Sequence, residues 1–284
     1  MSTGSSEGNC TTYEMSHAWL IIAHNEFGVL QRLIDSLDAA ESDFYVHIDR
    51  KVKELPELKV TKGRLLMLKD RVDVRWGSVS QIQCEYKLFE ATTGQGSYDY
   101  YHIISGTTLP LRTLSQIDAF FTGSAGCSIF SGFCRDSEYQ ETLKIHRYNL
   151  FLRNYNSGNP FCRNVSQFLW KSAIAAQRVL GIRINRGKSF YKAANWMSLT
   201  EDAVRYLLSH KKEILKTYRY SFCGDEYFAA SELMASPLKE KVINCDKYLL
   251  HNISRSNAST YGLDEYEELC KTDYLFARKF TSLR

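Results

Sequence analysis

The sequence predicts an α/β fold in which helices flank a mostly parallel sheet within a single domain. The apolar run AWLIIAHN at 18–25 and the segment DFYVHIDRK at 43–51 both end in polar residues, as buried parallel strands do. Between them, leucine and isoleucine recur at helical spacing over 29–40, which completes a β-α-β unit. The 284 residues, 44% of them hydrophobic, suffice for one substantial core.

The remaining elements follow from the same patterns of hydrophobicity and turn residues. Further strands are predicted, in chain order, within 64–70, at the start of 98–113, at SIF near 129, within 190–200 and within 242–249. Helices are predicted at 78–92, at 114–123 with Ser115 as the N-cap, at 164–181, at 201–215 and at 263–273. The absence of an internal repeat or a clear linker favours one domain over 17–284.

Composition and charge exclude several classes of function. The formal net charge of +4 is too small and too dispersed to indicate a nucleic-acid partner, although it suits an anionic ligand. No run of eighteen apolar residues is present, so no transmembrane segment is expected. Residues 1–16 are rich in Ser, Thr and Gly and predict a disordered tail without the apolar core of a signal peptide.

These features predict a cytoplasmic protein, and they leave peripheral association with the inner face of the membrane open. A Golgi-type lumenal domain is the weaker alternative, because no anchor segment is recognised. None of the eight cysteines forms a C-x-x-C pair, so a zinc site is not expected and the thiols are expected to be reduced.

Polar residues collect where three of the predicted strands end. They are His24 and Asn25 after the first strand, His47 and Asp49 on the second, and Ser105, Gly106 and Thr107 after the strand within 98–113. In open α/β sheets ligands bind beyond the carboxyl ends of the strands, so these residues predict one shared crevice. The structural alternative is that each polar residue only returns the chain to solvent.

The common nucleotide motifs are missing from the chain. There is no G-x-G-x-x-G, no P-loop and no Asp-x-Asp, so a dinucleotide, ATP hydrolysis and a metal-bridged diphosphate all lose support. His47 and Asp49 could ligate a metal, but two ligands on one strand do not make a site. Arg278 and Lys279 could neutralise a diphosphate without metal, or they could form a solvated end of the domain.

The stretch FCGDEYFAA at 222–230 places Asp225 and Glu226 directly before an aromatic, small-residue run. Acidic residues at this position are typical of a helix N-terminus, where Asp225 would be the cap. A catalytic carboxylate at the mouth of a pocket is the other interpretation. Trp76, between a loop and a helix, could stack on a ligand or plug the core.

Taken in order, the motifs resemble those of the core-2/I-branching N-acetylglucosaminyltransferase family, which includes protein xylosyltransferases and many bacterial members. The resemblance runs from about residue 17 to about residue 281 and rests on LIIAHNEFGVLQRLIDSL, FYVHIDRK, RWGSVSQIQ, YYHIISGTTLPLRT, FYKAANWMSLT, CGDEYFAAS and YLFARKF. It implies a GT-A type fold and inverting transfer of a sugar from a UDP-sugar donor to an acceptor hydroxyl on a glycan or glycoconjugate. It also implies that neither metal nor cofactor takes part.

The resemblance carries roles to individual residues. Those implied to hold the donor are Ala23, His24 and Asn25 in the first nucleotide loop, Asp49, Arg50 and Lys51 at the uridine, Trp76 at the donor site, and Lys279 at the diphosphate. Glu226 matches the general base, with Asp225 as its cap or orienter. A second basic residue at the diphosphate is expected upstream of the last helix, with Lys247 the better candidate and Arg255 the other.

The sequence departs from the family at one position that bears on specificity. Ala193 and Ala194 stand where the family commonly has a Gly-Ser pair, so the acceptor subsite and the sugar specificity are not assigned. GlcNAc or xylose is expected as the transferred sugar, and another UDP-sugar stays open. Two other functions compete with the transferase hypothesis. They are a non-catalytic carbohydrate-binding protein and a metal-dependent nucleotidyltransferase on a similar sheet.

Overall fold

The computed structural model describes residues 15–124, 126–251 and 260–282, together with the backbone of 253–254 and 257–258. The helices are α1 (Phe27–Leu37), α2 (Ser80–Thr92), α3 (Leu114–Gly123), α4 (Glu138–Ile145), α5 (Pro160–Val179), α6 (Glu201–Ser209), α7 (Lys211–Tyr218), α8 (Phe228–Met234) and α9 (Tyr266–Leu269). The strands are β1 (His17–Ala23), β2 (Ser42–Ile48), β3 (Arg64–Met67), β4 (Tyr100–Ser105), β5 (Leu109–Pro110), β6 (Ser128–Phe130), β7 (Met197–Leu199), β8 (Val242–Asn244), β9 (Leu249–His251), β10 (Ile253–Ser254), β11 (Asn257–Ala258), β12 (Tyr261–Gly262), β13 (Phe276–Arg278) and β14 (Phe280–Thr281).

Seven of these strands form the central sheet, in the order β3-β2-β1-β4-β7-β6-β8. The pairings from β3 through β2 and β1 to β4 are parallel, as is that of β6 with β8. Only β7 runs antiparallel, against both β4 and β6. The predicted α/β fold with a mostly parallel sheet flanked by helices is therefore confirmed.

Strand β1 lies at the centre of the core because every one of its residues is buried. Its side chains alternate between the two faces of the sheet, as a period of two requires. Trp19 and Ile21 pack in the cluster that holds the apolar stripe of α1, whereas Leu20 and Ile22 pack in the cluster that holds α2. Helices thus cover both faces of the sheet, and the carboxyl edge of the sheet is left accessible.

Four of the elements differ in their boundaries from the sequence-based expectations. The N-cap of α3 is Thr113 and not Ser115, because Gln116 at the third helical position completes a capping box with Thr113. The predicted helix over 201–215 is interrupted at His210, where α6 ends and α7 begins. The strand within 190–200 contracts to β7, and the final helix contracts to a 3₁₀ turn followed by α9.

A small second sheet carries the end of the chain back into the core. Strand β13 pairs antiparallel with β5 and parallel with β9, in the register that sets Phe276 beside Leu249 and Arg278 beside His251. Phe276 is fully buried in the cluster that also contains Trp19. The residues after the last helix are therefore part of the fold, and β13 ends at the carboxyl edge of the central sheet.

Residues 1–14 of the disordered tail predicted over 1–16 lie outside the described residues. Met15 and Ser16, which that prediction also includes, instead belong to the packed domain: Met15 is buried, and the amide and hydroxyl of Ser16 both donate to Asp99 Oδ2 at 2.8 Å. Within the described ranges, no helix is both long enough and apolar enough to cross a membrane.

Candidate functional site

The carboxyl ends of β1, β2 and β4 meet at one edge of the sheet. The Asp49 amide donates to the Ala23 carbonyl at 2.9 Å, and the Gly106 amide donates to the Ile22 carbonyl at 2.9 Å. A Cβ at position 106 would lie 2.6 Å from the Ala23 Cβ, so only glycine allows this approach. The polar residues that follow the strands therefore share one edge, as the sequence predicted.

His24 and Asn25 are exposed at this edge, directly after β1. Partial desolvation lowers the pKa of His24, the charge of Asp49 opposes that effect, and the charges of Lys51 and Lys279 add to it. Three of the predicted donor-site segments, those after β1 and β2 and the tail, therefore lie close enough to interact electrostatically. The lowered pKa favours the neutral imidazole, which can act as a hydrogen-bond donor or acceptor.

The turn after β2 is stabilised by ion pairs of Asp49, Arg50, Lys51 and Asp73. Buried Asp49 accepts from the Lys51 amide at 2.8 Å and from the Lys51 ammonium at 2.6 Å. The ammonium also lies 3.2 Å from Asp73, and the Arg50 guanidinium lies 4.0 Å from the same carboxylate. Lys51 is thus already neutralised by two carboxylates, so its main effect here is to fix the turn.

An open groove of about 460 Å³ lies beside this turn. It is lined by the side chains of Arg50, Arg71, Arg75 and Arg153, together with Asp70, Val72, Asp73 and Gln83. Four guanidinium groups against two carboxylates leave the groove positive. The edge of the sheet that carries Asp49 is therefore electrostatically suited to an anionic ligand.

The tail reaches the same edge through Arg278, the last residue of β13. Its Nε donates to Ser105 Oγ at 3.2 Å, and its Nη1 donates to His251 Nε2 at 3.1 Å. Its guanidinium carbon lies 4.6 Å from the centre of the Trp196 ring, at cation–π distance. All of these partners are neutral groups, so the positive charge is held in place without being neutralised.

Arg278 and Lys279 differ in exposure but share the lack of a counter-ion. Arg278 is buried, whereas Lys279 is exposed, as expected for adjacent residues on an extended segment. Burial lowers the pKa of Arg278 to about 9, and burial with the charge of Arg278 lowers the pKa of His251 to about 4. Within the described part of the chain, neither Arg278 nor Lys279 forms an ion pair with a carboxylate.

Glu226 is the last residue of a 3₁₀ turn, Gly224–Glu226, that follows a sharp bend. Cys223 is left-handed there, with φ of 53°, and its amide donates to the Gly77 carbonyl at 2.8 Å. Gly77 itself has φ of +73°, and a Cβ on it would lie 2.7 Å from the Phe222 ring. The glycine therefore lets the loop before α2 contact and fix the bend that presents Glu226.

The Glu226 carboxylate, about 35% exposed, lies between two lysines. Its Oε2 is 3.7 Å from Lys144 Nζ and 3.6 Å from Lys192 Nζ. Asp136 lies 3.6 Å from Lys144 and accepts from the Tyr227 hydroxyl at 2.5 Å. Burial by itself lowers the pKa of Lys192. The negative charges of Glu226 and Asp136 outweigh this effect, so the pKa of Lys192 is raised.

A short loop before β7 contacts both the Glu226 turn and Arg278 of the tail. The Ala193 amide donates to the Glu226 carbonyl at 2.8 Å, and Trp196 lies under Arg278. The stretch from Ala193 to Trp196 therefore contacts both the Glu226 turn and Arg278.

This combination of a parallel sheet edge, unpaired cations and a carboxylate agrees with a comparison against family models. The model described as Core-2/I-Branching enzyme matches residues 17–250, which is most of the chain. The chain belongs to the core-2/I-branching enzyme family. A search of the curated proteins found no match.

Membership in the core-2/I-branching family confirms the resemblance found in the motifs. It implies a glycosyltransferase, and so a sugar donor and an acceptor. The seven-stranded, mostly parallel sheet with helices on both faces is consistent with the GT-A-like fold expected of such an enzyme. In the family context, the cluster around Arg278 and the cluster around Glu226 become candidates for the donor side and the acceptor side.

Trp76, the aromatic candidate at the donor site, is 52% exposed and close to the Glu226 bend. Its ring stacks on Tyr155 with centroids 5.8 Å apart and meets Phe222 edge-on at 5.3 Å. It therefore does not plug the core. Its free face can stack on a sugar ring.

Asp225 does not cap the turn, which corrects the interpretation of this residue as an N-cap. The cap position is Cys223, and Asp225 lies inside the 3₁₀ turn without a side-chain cap hydrogen bond. Its Oδ1 is buried and has no hydrogen-bond partner among the described residues. Burial, followed by the charge of Glu226, raises the pKa of Asp225 to about 7.

Sequence reasoning missed a buried polar cluster that includes Asp225. Fully buried Glu85, on α2, has an unpartnered Oε2 in the described structure, and Asn195 has an unpartnered Oδ1. Burial raises the pKa of Glu85 well above its usual value, and the charge of Asp225 adds to that effect. An acid on the buried face of α2, among Ile82, Cys84 and Tyr86, was the one signal in the sequence that could have revealed it.

Of the two candidates for a second diphosphate contact, Lys247 lies among the described residues and Arg255 does not. Lys247 precedes β9, where its ammonium lies 3.1 Å from Asp273, and its carbonyl accepts from the Leu275 amide. It is therefore at the start of β9 and β13, whereas Arg278 is at the end of β13. The structure does not bring Lys247 together with Lys279. Arg255 lies outside the described residues.

Proposed function

We propose that this protein is an inverting, metal-independent glycosyltransferase that moves GlcNAc or xylose from a UDP-sugar to a hydroxyl of a glycan or glycoconjugate. In this proposal Glu226 is the general base, and Lys279 with Arg278 stabilises the UDP leaving group. Ala23, His24, Asn25, Asp49, Arg50 and Lys51 would line the nucleotide, and Trp76 would contact the sugar.

The observation that carries the proposal is the pair of cations at the carboxyl edge of the sheet that have no carboxylate partner among the described residues. A buried guanidinium whose described partners are the neutral groups of Ser105, His251 and Trp196 is costly unless an anion approaches it. An anion there makes charge-assisted hydrogen bonds that are stronger than neutral ones. A diphosphate supplies such an anion, and the adjacent strand ends supply the loops that a nucleotide needs.

In the proposed chemical step, the cluster around Glu226 acts on the acceptor and the cluster around Arg278 acts on the leaving group. The acceptor oxygen forms a bond to the anomeric carbon while the bond from that carbon to the β-phosphate oxygen breaks. The hydroxyl proton passes to the Glu226 carboxylate, and the negative charge of the departing UDP develops next to Lys279 and Arg278. Attack from the face opposite the leaving group inverts the anomeric centre.

Lys144 and Lys192 fit this role for Glu226. Both ammonium groups lie within 3.7 Å of its Oε2, which restricts the carboxylate to a few positions. About a third of the side chain is exposed, so an acceptor hydroxyl can reach it. A fixed, accessible carboxylate at the end of a strained turn is the arrangement that proton abstraction requires.

Two properties of the sequence and structure support a mechanism without metal. The chain has no Asp-x-Asp, and the described residues contain no group of three or more His, Cys, Asp or Glu that could hold a metal ion. The task of neutralising the diphosphate can be carried out by Arg278 and Lys279.

A thermal-shift titration with UDP, in the presence and absence of EDTA, tests the donor assignment. We expect UDP to raise the melting temperature equally in both conditions, because a ligand stabilises the state that binds it. A shift that requires a divalent cation would support the nucleotidyltransferase alternative. The absence of any shift would contradict a UDP-sugar donor.

Incubation with a panel of UDP-sugars and glycan acceptors, followed by mass spectrometry of the products, tests the transfer. We expect UDP-GlcNAc or UDP-xylose to give the product, with the anomeric configuration opposite to that of the donor by NMR. Glycan binding without any product would support the carbohydrate-binding alternative. Retention of configuration would rule out a single displacement assisted by Glu226.

A further inference from the structure

Helix α5 has an apolar face that nothing in the described structure covers. Its inner face is buried through Ser166, Trp170, Ile174 and Gln177. On the opposite side, large apolar side chains point into solvent. Those exposed by more than two thirds are Phe161 at 76%, Phe168 at 68% and Val179 at 87%. Contiguous exposure of this kind is rare on soluble proteins and marks an interaction surface.

The exposed apolar residues form a continuous stripe at helical spacing. Phe161, Val165, Phe168, Ala176 and Val179 follow one another at intervals of four, three, eight and three residues, which keeps them on one side of a helix. Ser172 fills the gap between Phe168 and Ala176 and is also exposed. A helix of twenty residues is about 30 Å long, so the stripe extends along that length.

The chain segment that contains α5 has charged residues of one sign. The stretch 142–200 contains no Asp or Glu, and its ten basic residues are Lys144, Arg147, Arg153, Arg163, Lys171, Arg178, Arg183, Arg186, Lys188 and Lys192. The whole chain has 36 basic and 32 acidic residues, so the rest of it, with 26 and 32, has a net charge of −6. The small net charge of the chain therefore hides a strongly basic region, contrary to the dispersed charge that the sequence analysis assumed.

The basic side chains lie where an amphipathic surface helix would have them. At 100° per residue, Lys171 and Arg178 project from the same flank of α5, between the buried face and the apolar stripe. Lys171 and Arg178 are exposed, and the turn after the helix adds exposed Arg183 and Arg186. Aromatic and aliphatic residues flanked by Lys and Arg are typical of helices that lie in the interface of an anionic bilayer.

Charge also argues against a second copy of the chain as the occupant of this face. Two copies that meet through α5 would bring the exposed Lys171 and Arg178 of one copy against those of the other, and like charges at an interface oppose association. An anionic lipid surface avoids this repulsion and accepts the apolar stripe among its acyl chains.

We propose that α5 docks this protein onto an anionic membrane surface, with Phe161, Phe168 and Val179 inserted at the acyl boundary and Lys171 and Arg178 against the lipid phosphates. The inner face of the helix links this surface to the candidate site. Trp170 lies 5.5 Å from the Phe222 ring, four residues before Glu226. The docked protein would therefore hold the Glu226 bend near the bilayer.

Co-sedimentation with vesicles tests the proposal. We expect the full-length chain to bind vesicles made of equal parts of phosphatidylcholine and phosphatidylglycerol, and to bind vesicles of phosphatidylcholine alone at least about tenfold more weakly. Added salt should release the protein, because screening weakens attraction between exposed charges. Binding to neither vesicle, or equal binding to both, would overturn the proposal.

Surface substitutions distinguish α5 from the rest of the protein. The double variant Phe161→Ser/Phe168→Ser and the double variant Lys171→Ala/Arg178→Ala should each lower vesicle binding by about an order of magnitude or more. All four side chains lie within α5 and are exposed, so the variants should unfold at the same temperature as the wild type.

Matched controls change exposed residues on other elements. Leu55→Ser/Ile243→Ser and Lys62→Ala/Lys239→Ala should bind vesicles like the wild type. If the controls weaken binding as much as the α5 variants do, attraction is diffuse and the helix is not the docking surface. If the wild type forms a dimer that Phe161→Ser/Phe168→Ser dissolves, a second copy covers the stripe and the lipid proposal fails.

Discussion

Two pairs of basic residues lie in the candidate site, and they differ in what surrounds them. Lys144 and Lys192 lie within 3.7 Å of the Glu226 carboxylate, and Lys144 also contacts Asp136. Arg278 has only neutral partners, and neither it nor its neighbour Lys279 is paired with a carboxylate in the described chain. The first pair is neutralised by the protein, whereas the second leaves positive charge at the sheet edge.

The difference assigns separate tasks to the two pairs. Cations that already have carboxylates hold those carboxylates in place and gain little from an added anion. Cations without counter-ions lower their energy when an anion binds, so they mark the position of a negatively charged ligand. The cluster around Glu226 is thus suited to taking up a proton, and Arg278 and Lys279 are suited to stabilising a leaving group.

The largest expected effect comes from Glu226→Gln. The substitution keeps the shape of the side chain and removes the proton acceptor, so the rate of transfer should fall by about two to four orders of magnitude. UDP affinity, measured by calorimetry, should stay nearly unchanged because the nucleotide is held at the other cluster. Glu213→Gln, at an exposed position on α7, is the matched control and should be neutral. Wild-type turnover in Glu226→Gln would remove the residue from the mechanism.

The next largest effect is expected from Lys279→Ala. A charge-assisted hydrogen bond contributes roughly 1.5–3 kcal/mol, which is about a ten- to hundredfold change in an equilibrium or rate constant. If the contact strengthens as charge develops on UDP, kcat should fall as well as UDP affinity. Lys271→Ala serves as the control, since this exposed lysine pairs with Glu268.

Arg278→Ala sharpens this prediction. The buried guanidinium also supports Ser105, His251 and Trp196, so its loss should lower the melting temperature, whereas Lys279→Ala should not. Its direct effect on kcat should be milder than that of Lys279→Ala. A neutral Lys279→Ala together with an inactive but folded Arg278→Ala would assign the leaving group to Arg278 alone.

The sequence predicted those parts of the fold whose signals are local. The β1–α1–β2 unit has strict periodicity and polar strand ends, so its elements and shared edge could be identified directly. The choice between Thr113 and Ser115 as a cap was misjudged because it depends on which hydroxyl the Gln116 amide faces. The contacts of Glu226 with Lys144 and Lys192 join segments far apart in the chain, in a region without clear periodicity, and no local pattern could reveal them.

A third prediction concerns pH and the buried cluster behind Glu226. The folded pKa of Asp225 is about 7, above its ordinary value of 3.8, so the folded state binds the proton more tightly than the unfolded state does. Stability from this group is therefore fully present below about pH 4 and is lost as the pH rises through about 7. The groups that face Asp225 are Glu226, Glu85 and Lys144.

Asp225→Asn tests this assignment. The variant cannot ionise at this position, so the loss of unfolding free energy between about pH 5 and about pH 8 should be smaller than in the wild type. Denaturant titrations at the two pH values measure the difference. An identical pH dependence in both proteins would mean that Asp225 titrates normally and that its unpartnered Oδ1 is solvated.

The smallest expected effect, from Lys247→Ala, tests whether the unpaired charge of the tail is what binds the diphosphate. Lys247 is exposed and pairs with Asp273 at the start of β9, about four residues of extended chain from His251, or roughly 13 Å. An exposed ion pair contributes about 0–1 kcal/mol, so both UDP affinity and stability should remain close to the wild type. Arg255→Ala, at the other candidate for the second basic contact, is the informative partner of this variant. If UDP affinity falls in Arg255→Ala and not in Lys247→Ala, the second basic contact comes from Arg255 and adds to the tail. If it falls in Lys247→Ala, a cation already paired with a carboxylate does bind the diphosphate, and the distinction between paired and unpaired cations is wrong.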